Sequence, residues 1–591
     1  MDGNSRYRTS GSSPSLATTR SGHRVLRLPH GLPLLLATLL VPSACTAQGT
    51  GLIEFDHYHT LDEIGSYLET LAAQYPQLVT LEVIGRSREG RAIWALDVNN
   101  PATGSASEKP GFYVDGNIHG GEVLGGEGAL AFLDRIVGGH GTDPEITELV
   151  DTRAFYVVPI VNPDGRAISV GTPENHRWNV RPVDEDGDGL FDEDPPEDLD
   201  GDGRILQMRV PDPEGDWTVH ATDPRRMVRV RSDDAGGPRY RVMAEGVDND
   251  RDGRFNEDRV GGVDLNRNFP ANWSGAQFAS GPFPLSEPET HALVTYITDR
   301  PTIAAIHTFH TSGGLILRFP TLADQDWNFP SKDIEAHRAI AEDGIAITGY
   351  ANFAYEKKAI VDLMSPGHGV FNDWASKEFG VLAITTEMWA HAMGEGQDAL
   401  FAWNDDVLGG AGFIDWYPFE HPDLGPVEIG GWDRWSTASP PERMMAAEID
   451  RNVRWVLTFA DKTPQVAIQD ATVAPSGNGH RIEASVANIG WMATATDHAA
   501  QVLDIAKPVL VRLELVNAEL VSGDEVVSLG VLPGTGGGAP EARAVAWTVR
   551  VRDDAQPARA TIVVESQKAG TVRQTLELPG DVSPPQRVGG R

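Results

Sequence analysis

Two metal-capable side chains, His119 and Glu122, stand three residues apart. They lie between the apolar run Gly111-Phe112-Tyr113-Val114 and a helix-like segment from Glu122 to Val137. No other feature constrains the chain as strongly. A neutral imidazole and a carboxylate at this spacing can grip one cation where a strand ends. Zinc takes such N and O ligands, and a catalytic site supplies three from protein and leaves one position open. Alone, His-x-x-Glu is weak, because it also occurs on solvated helical turns. Four later segments strengthen it. Val157-Val158-Pro159-Ile160-Val161 reads as a buried strand running into the turn Asn162-Pro163-Asp164-Gly165. Asp264-Leu265-Asn266-Arg267-Asn268-Phe269 follows. Ile303 to Ile306 leads into His307-Thr308-Phe309-His310, and Val381 to Thr386 places Glu387 at the end of a strand-like run. Functional groups at strand ends fit an open α/β sheet, whose sites gather along one edge.

In this order the motifs resemble the zinc carboxypeptidases of the carboxypeptidase A/B type. Their sequence of features is His-x-x-Glu, Asn-Pro-Asp-Gly, Asn-Arg, a third zinc His and a catalytic Glu. The resemblance runs from about Tyr58 to about Phe459, and includes a capped helix opening at His59–Ile64 and a hairpin at Ile84–Arg91. It implies a mixed, twisted α/β sheet flanked by helices, one catalytic zinc, and a peptide or protein substrate with a free C-terminus. By position, His119 and Glu122 match the first two zinc ligands. The third is His307 or His310. His310 is followed by Thr-Ser-Gly-Gly and a second apolar run, as the family's ligand is, and an odd spacing puts the two on opposite faces of a regular strand. Glu387 matches the general base that takes a proton from water and returns it to the leaving amine. Asn266 and Arg267 match the pair that holds the terminal carboxylate, a task suited to the guanidinium's two parallel donors. A local partner such as Asp264 is the alternative for Arg267. Arg177 aligns with the oxyanion-stabilising Arg, with Arg181 as its alternative. Asn372 falls where family members set side-chain preference and, being neutral, argues against a pocket for Lys or Arg side chains. The family's substrate-side Tyr has no match near Ser365, where His368 is the nearest substitute. The implied reaction is removal of a C-terminal residue by zinc-assisted attack of water. Two other readings stay open: a zinc amidase or deacylase acting on acylated amino acids or cell-wall peptides, and a non-catalytic binding protein on the same scaffold.

The formal charge of −36 over 591 residues disfavours nucleic acid and anionic membranes as partners. Residues 1–47 carry the opposite sign, with five Arg against one Asp, and read as an export signal. A basic part from Arg20 to His30 precedes an apolar part from Leu32 to Val41 that is too short to span a bilayer. Such a leader places the protein in a secreted or periplasmic location. Cys45 is the only cysteine, so no intramolecular disulfide can form. Its place resembles a lipoprotein site, but Pro42 stands where a Leu-like residue is preferred. No other segment is long and apolar enough to be a transmembrane span, and nothing in the sequence speaks to oligomeric state.

The catalytic domain is expected at 48–464, closed by a helix over Met444–Ala460. Ser286 and Glu289 predict a capping box before the Ile303 strand. An acidic insertion at about 183–258 holds three Asp-x-Asp-x-Asp-Gly loops: Asp184, Asp186 and Asp188; Asp198, Asp200 and Asp202; Asp248, Asp250 and Asp252. Alternate oxygen ligands and a turn Gly form the first half of a calcium loop, which makes these residues candidate structural Ca²⁺ ligands, although none has the Glu at position twelve of an EF-hand. After Pro464, short alternating runs separated by Gly and Pro predict an all-β immunoglobulin-like sandwich at 465–580, with a loose tail at 581–591.

Overall fold

The computed structural model describes residues 49–184, 187–230, 237–318, 331–350, 367–390, 396–477, 479–553 and 555–579. The expected leader with Cys45, and also Asp186, Ser365 and the tail, lie outside the described residues.

The hairpin expected near residue 84 is formed by β1 (Val79–Arg86) and β2 (Ala92–Val98). β2 runs antiparallel to β4 (Ala154–Val158). β4 and its neighbours β3 (Gly111–Gly116), β9 (Ile303–Thr311) and β11 (Leu382–Met388) are parallel to one another. β10 (Leu315–Arg318) closes the edge antiparallel to β11. The result is a mixed seven-stranded sheet, ordered β1-β2-β4-β3-β9-β11-β10. Every residue of β3 and β9 is buried. That burial explains why each opens on an apolar run, because parallel strands are covered on both faces. One face packs on α1 (Leu61–Gln74), α2 (Val123–Gly139) and the closing helix Glu442–Asp461. The other packs on the helix Pro288–Thr298 and on Phe371 and Trp374. The α1 terminus carries the capping box of Thr60 and Glu63. In α2 a side chain at Gly125 would put its Cβ 2.6 Å from the Phe309 carbonyl oxygen. The helix therefore lies against β9 at a distance only glycine allows, at an intrinsic cost of about 1 kcal/mol relative to Ala.

Two local expectations differ from the structure. Asn162-Pro163-Asp164-Gly165 does more than turn the chain. The Asn162 side chain accepts the Gly165 N–H at 2.9 Å and starts a helix over Pro163–Gly171, with Pro at its first position. Ser286 does not cap the following helix. That helix starts at Pro288, while Glu289 turns inward to accept the Arg88 N–H at 3.1 Å. A tertiary partner outcompetes the local cap.

The acidic insertion also contains strands: β5 (Gln207–Pro211), β6 (Trp217–Val219), β7 (Met227–Arg229) and β8 (Tyr240–Ala244). They join the distant hairpin β12 (Phe413–His421) and β13 (Gly425–Trp432) in a second sheet, ordered β12-β13-β5-β8-β6-β7. Leu206, Met208, Val210, Val427 and Ile429 form its core. Beyond Pro464, strands from Val466–Ser476 to Gly570–Leu578 form two four-stranded antiparallel sheets. Trp547, Val486, Val511 and Ile562 pack between them as in a β-sandwich. Among the described residues, no helix is long and apolar enough to cross a membrane.

Candidate active site

The carboxyl ends of the parallel strands share one edge of the main sheet, where open α/β sheets place their ligands. After β3 the chain turns through Asn117 to His119, and Glu122 sits just before α2. β9 carries His310 and β11 carries Glu387, which are ladder partners. His119 Nδ1 lies 2.7 Å from one Glu122 carboxylate oxygen, and His310 Nδ1 lies 2.9 Å from the other. The three ligand atoms fall within 4.8 Å of one another. The second ring nitrogen of His119, Nε2, is 3.1 Å from Asp264 Oδ1. Asp264 therefore holds the ring from behind while Nδ1 faces Glu122. Two buried imidazoles and one half-buried carboxylate, converging on one point, are a donor set that fits zinc.

His307 lies on the other side of the strand. Its Nε2 is 2.9 Å from Thr386 Oγ1 and its ring meets Phe309 and Phe459. Burial, with His310 as a smaller influence, pushes its pKa down to about 3. Of the two candidate histidines, only His310 meets His119 and Glu122.

The electrostatics are set by crowding. Burial alone would raise the Glu122 carboxyl, but His119 and His310 outweigh it and hold it well below the usual carboxylate range. For Asp264 burial is likewise overcome, by Arg177 and then His119. Glu387 has the opposite balance. Burial first, and then repulsion from Glu122, push it up to about 7.

Arg177 reaches the same cluster. Its Nε donates to Asp264 Oδ2 at 3.0 Å, its Nη1 to Glu122 Oε1 at 3.1 Å, and its Nη2 lies 2.9 Å from His119 Nε2. Arg181 instead donates to Glu287 at 2.9 Å. The Arg177 segment is tied down by its carbonyl, which accepts the Gly120 N–H at 3.0 Å, and by the Trp178 carbonyl, which accepts from Asn162 Nδ2 at 2.9 Å. A Cβ on Gly120 would fall 2.4 Å from the Gly165 carbonyl carbon. The ligand turn and the Asn-Pro-Asp-Gly turn thus press together at a contact that excludes any side chain.

His119, Glu122, His310, Arg177, Asn266, Arg267, Asn372 and Glu387 all line one cavity of about 240 Å³. The Asn266 carbonyl oxygen accepts the Phe371 N–H at 2.9 Å, which fixes the side chain and leaves its NH₂ for the cavity. Arg267 Nη1 donates to the Asn266 backbone carbonyl at 2.7 Å. Asn372 is buried, donates to Thr385 Oγ1 at 2.6 Å, and keeps an unpartnered carbonyl oxygen. His368 Nδ1 bonds the Asn272 carbonyl at 2.9 Å. Asp264 was not recognised in the sequence as the partner of His119. Its signal was an acid two residues before Asn-Arg.

The acidic loops share one geometry. In each, the Gly five residues after the first Asp donates its N–H to that Asp: Gly189 to Asp184 at 3.0 Å, Gly203 to Asp198 at 2.9 Å and Gly253 to Asp248 at 3.0 Å. Three groups bring carboxylate oxygens within 4.8 Å of one another: Asp188 with Glu193 and Asp250; Asp198 with Asp200 and Glu245; Asp248 with Asp250 and Asp252. Asp184 and Asp202 fall outside these groups, whereas Glu193 and Glu245, absent from the sequence-based set, fall inside them. Glu245 is buried and accepts the Leu199 and Leu206 N–H groups at 2.8 and 3.0 Å, bracketing the second loop.

The zinc carboxypeptidase family model matches residues 64–195 and 238–398. The chain belongs to this family. The interruption in the match falls across β5, β6 and β7, so much of the second sheet is an addition to the carboxypeptidase core. Residues 465–577 match a domain of unknown function. Carboxypeptidase A1 of Sus scrofa is 31% identical over 279 residues, which is 46% of this chain and 48% of that protein. Carboxypeptidase A1 of Bos taurus is 34% identical over 136 residues, 23% of this chain and 31% of that one. Carboxypeptidase D of Anas platyrhynchos is 35% identical over 127 residues, 21% of this chain and 9% of that one. The chain therefore spans less than half the length of these relatives. A crystal structure of thrombin activatable fibrinolysis inhibitor aligns at 17% identity and TM-score 0.42, covering 69% of this chain and 74% of that one.

Proposed function

We propose that the chain is a zinc-dependent metallocarboxypeptidase that hydrolyses the C-terminal peptide bond. The observation that carries this reading is the meeting of His119, Glu122 and His310 in one cavity with Glu387, Arg177 and the Asn266–Arg267 pair. When bound, zinc supplies Lewis-acid polarisation and acidifies water to near neutrality. Arg267 and the free NH₂ of Asn266 hold the substrate's terminal carboxylate and so register the last peptide bond over the metal ligands. Glu387 accepts a proton at its carboxylate during attack and returns it to the departing amine. Arg177 donates to the oxygen that gains charge in the transition state; loss of such a donor typically costs about 10²–10³ in rate. Asn372 and Thr385 give the side-chain pocket a neutral, polar wall.

A peptide with a free terminal carboxylate and its amidated twin test the reading. The free acid is cleaved and the amide is not. Arg267→Gln lowers kcat/KM for the free acid by about 10–150-fold, the value of a charge-assisted hydrogen bond of about 1.5–3 kcal/mol. Equal cleavage of both peptides would point instead to a general amidase or deacylase.

The reading includes export, supported by the basic and apolar leader. It includes a catalytic unit at 48–464 followed by a sandwich at 465–580. It also includes structural calcium in the acidic loops, supported by their shared geometry and clustered carboxylates. Like-charge crowding is the physical reason: the Asp252 N–H bond lowers the Asp250 carboxyl, but desolvation and then Asp248 and Asp252 outweigh it and raise it, and Glu193 is raised by desolvation and then by Asp258 and Asp188. Calcium should raise the unfolding temperature of zinc-loaded protein and release heat on titration. No heat and an unchanged midpoint would show that the loops do not hold calcium.

A further inference from the structure

Arg166 is completely buried and lies outside the reactive cavity. A buried guanidinium is costly unless every donor is met and its charge is balanced. Here both conditions hold. Glu127, also fully buried, lies 2.5 Å from Nη2 and is bound in turn by His59 through its N–H at 3.0 Å and Nδ1 at 2.7 Å. Nε and Nη2 donate to the His59 carbonyl at 3.2 and 2.7 Å. Nη1 donates to the Asn117 side-chain oxygen and to the Val123 carbonyl, both at 3.0 Å.

Asn117 and Val123 bracket the short segment that carries His119 and Glu122. Asn117 is buried at φ 57°, a left-handed conformation that Asn tolerates. Its side chain is used at both ends. The oxygen takes Arg166, while Nδ2 donates to the His119 carbonyl at 2.6 Å and the Gly120 carbonyl at 3.0 Å. A continuous buried chain of hydrogen bonds therefore runs from His59 through Glu127, Arg166 and Asn117 to the backbone of His119. Asp264 orients the imidazole from its far side, but nothing in that contact fixes where the backbone sits. Fully satisfied buried networks specify one geometry.

We propose that Arg166 and Asn117 are positioning residues whose tether presets the His119–Glu122 segment for metal binding. The inference rests on the metal reading above. Partners behind metal ligands typically contribute 10–100-fold in affinity, and the tether acts on the ligand backbone in the same capacity.

Asn117→Asp is the decisive variant. It keeps the shape and the acceptor for Arg166, so the ion network survives, but it replaces the two donated bonds to His119 and Gly120 with repulsion between oxygens. The expected result is zinc affinity, measured by chelator competition, at least tenfold weaker than wild type. In metal-free protein, amide hydrogen exchange should also speed up more across residues 118–122 than across the buried strands β3 and β9, while the lost bonds lower the unfolding midpoint. A smaller affinity loss, or unchanged exchange, overturns the tether. If Asn117→Asp does not fold, Arg166→Lys decides by the same tenfold criterion, because Lys keeps the charge beside Glu127 but cannot span Asn117 and Val123 together. Failure of wild type to take zinc would sink the metal reading instead, and the exchange comparison in metal-free protein would still judge the tether.

Discussion

Glu387→Gln should lower kcat on a free-acid peptide by about 10²–10⁴, the usual range for loss of a positioned acid–base group, while zinc content stays at wild type. The carboxylate lines the cavity but is absent from the three-residue ligand group. Gln fills the same space and cannot carry the proton. Stability should move the other way. The Glu387 carboxyl rises from an ordinary 4.5 to about 7 through burial and Glu122 repulsion. A carboxyl with a raised folded-state pKa costs the fold nothing below its ordinary value and progressively more as pH climbs to the raised one. Metal-free Glu387→Gln should therefore melt at a higher temperature than wild type above pH 7 and at the same temperature below pH 4. A variant keeping more than a tenth of wild-type turnover would remove Glu387 from the chemistry.

His310→Ala and His307→Ala should separate two histidines that the sequence places three residues apart. His310 faces Glu122, and its loss removes one of the three converging candidate ligands. Zinc affinity should fall by more than the 10–100-fold typical of a change behind the ligands, and activity with it. His307 sits in the core beside Phe309 and Phe459, held neutral by burial. Its replacement should cost about 2–4 kcal/mol of stability, as other large-to-small core changes do, while leaving zinc affinity within a few-fold. Metal analysis after dialysis, beside thermal unfolding, reads both. Loss of zinc from the His307 variant alone would reverse the two assignments.

The core elements were legible because they carry strong local signals. Continuous apolar runs mark β3, β4, β9 and β11, and Thr60 with Glu63 announces α1. The candidate site was legible because its polar residues interrupt those runs at the strand ends, where a burial pattern alone has no use for a His or Glu. What escaped the sequence depends on distant partners. β5 to β8 are short, lie within an acidic insertion, and pair with a hairpin far along the chain. Ser286 carries a cap signal that loses to Arg88 and the buried Glu289. Arg166 follows Asn-Pro-Asp-Gly as an unremarked helix residue, and only the fold reveals that it is buried against the ligand turn. Asn117 likewise acquires meaning from its left-handed turn and its two carbonyl partners.

Whether His119, Glu122 and His310 share one ion can be read by X-ray absorption at the zinc edge on protein stripped and then restored with zinc. One zinc per chain is expected, with two imidazole nitrogens at about 2.0–2.1 Å and the remaining ligands oxygen. The same spectrum should lose one imidazole in His310→Ala and be unchanged in His307→Ala. A zinc with no histidine ligand, or one whose shell is indifferent to His310, would contradict it.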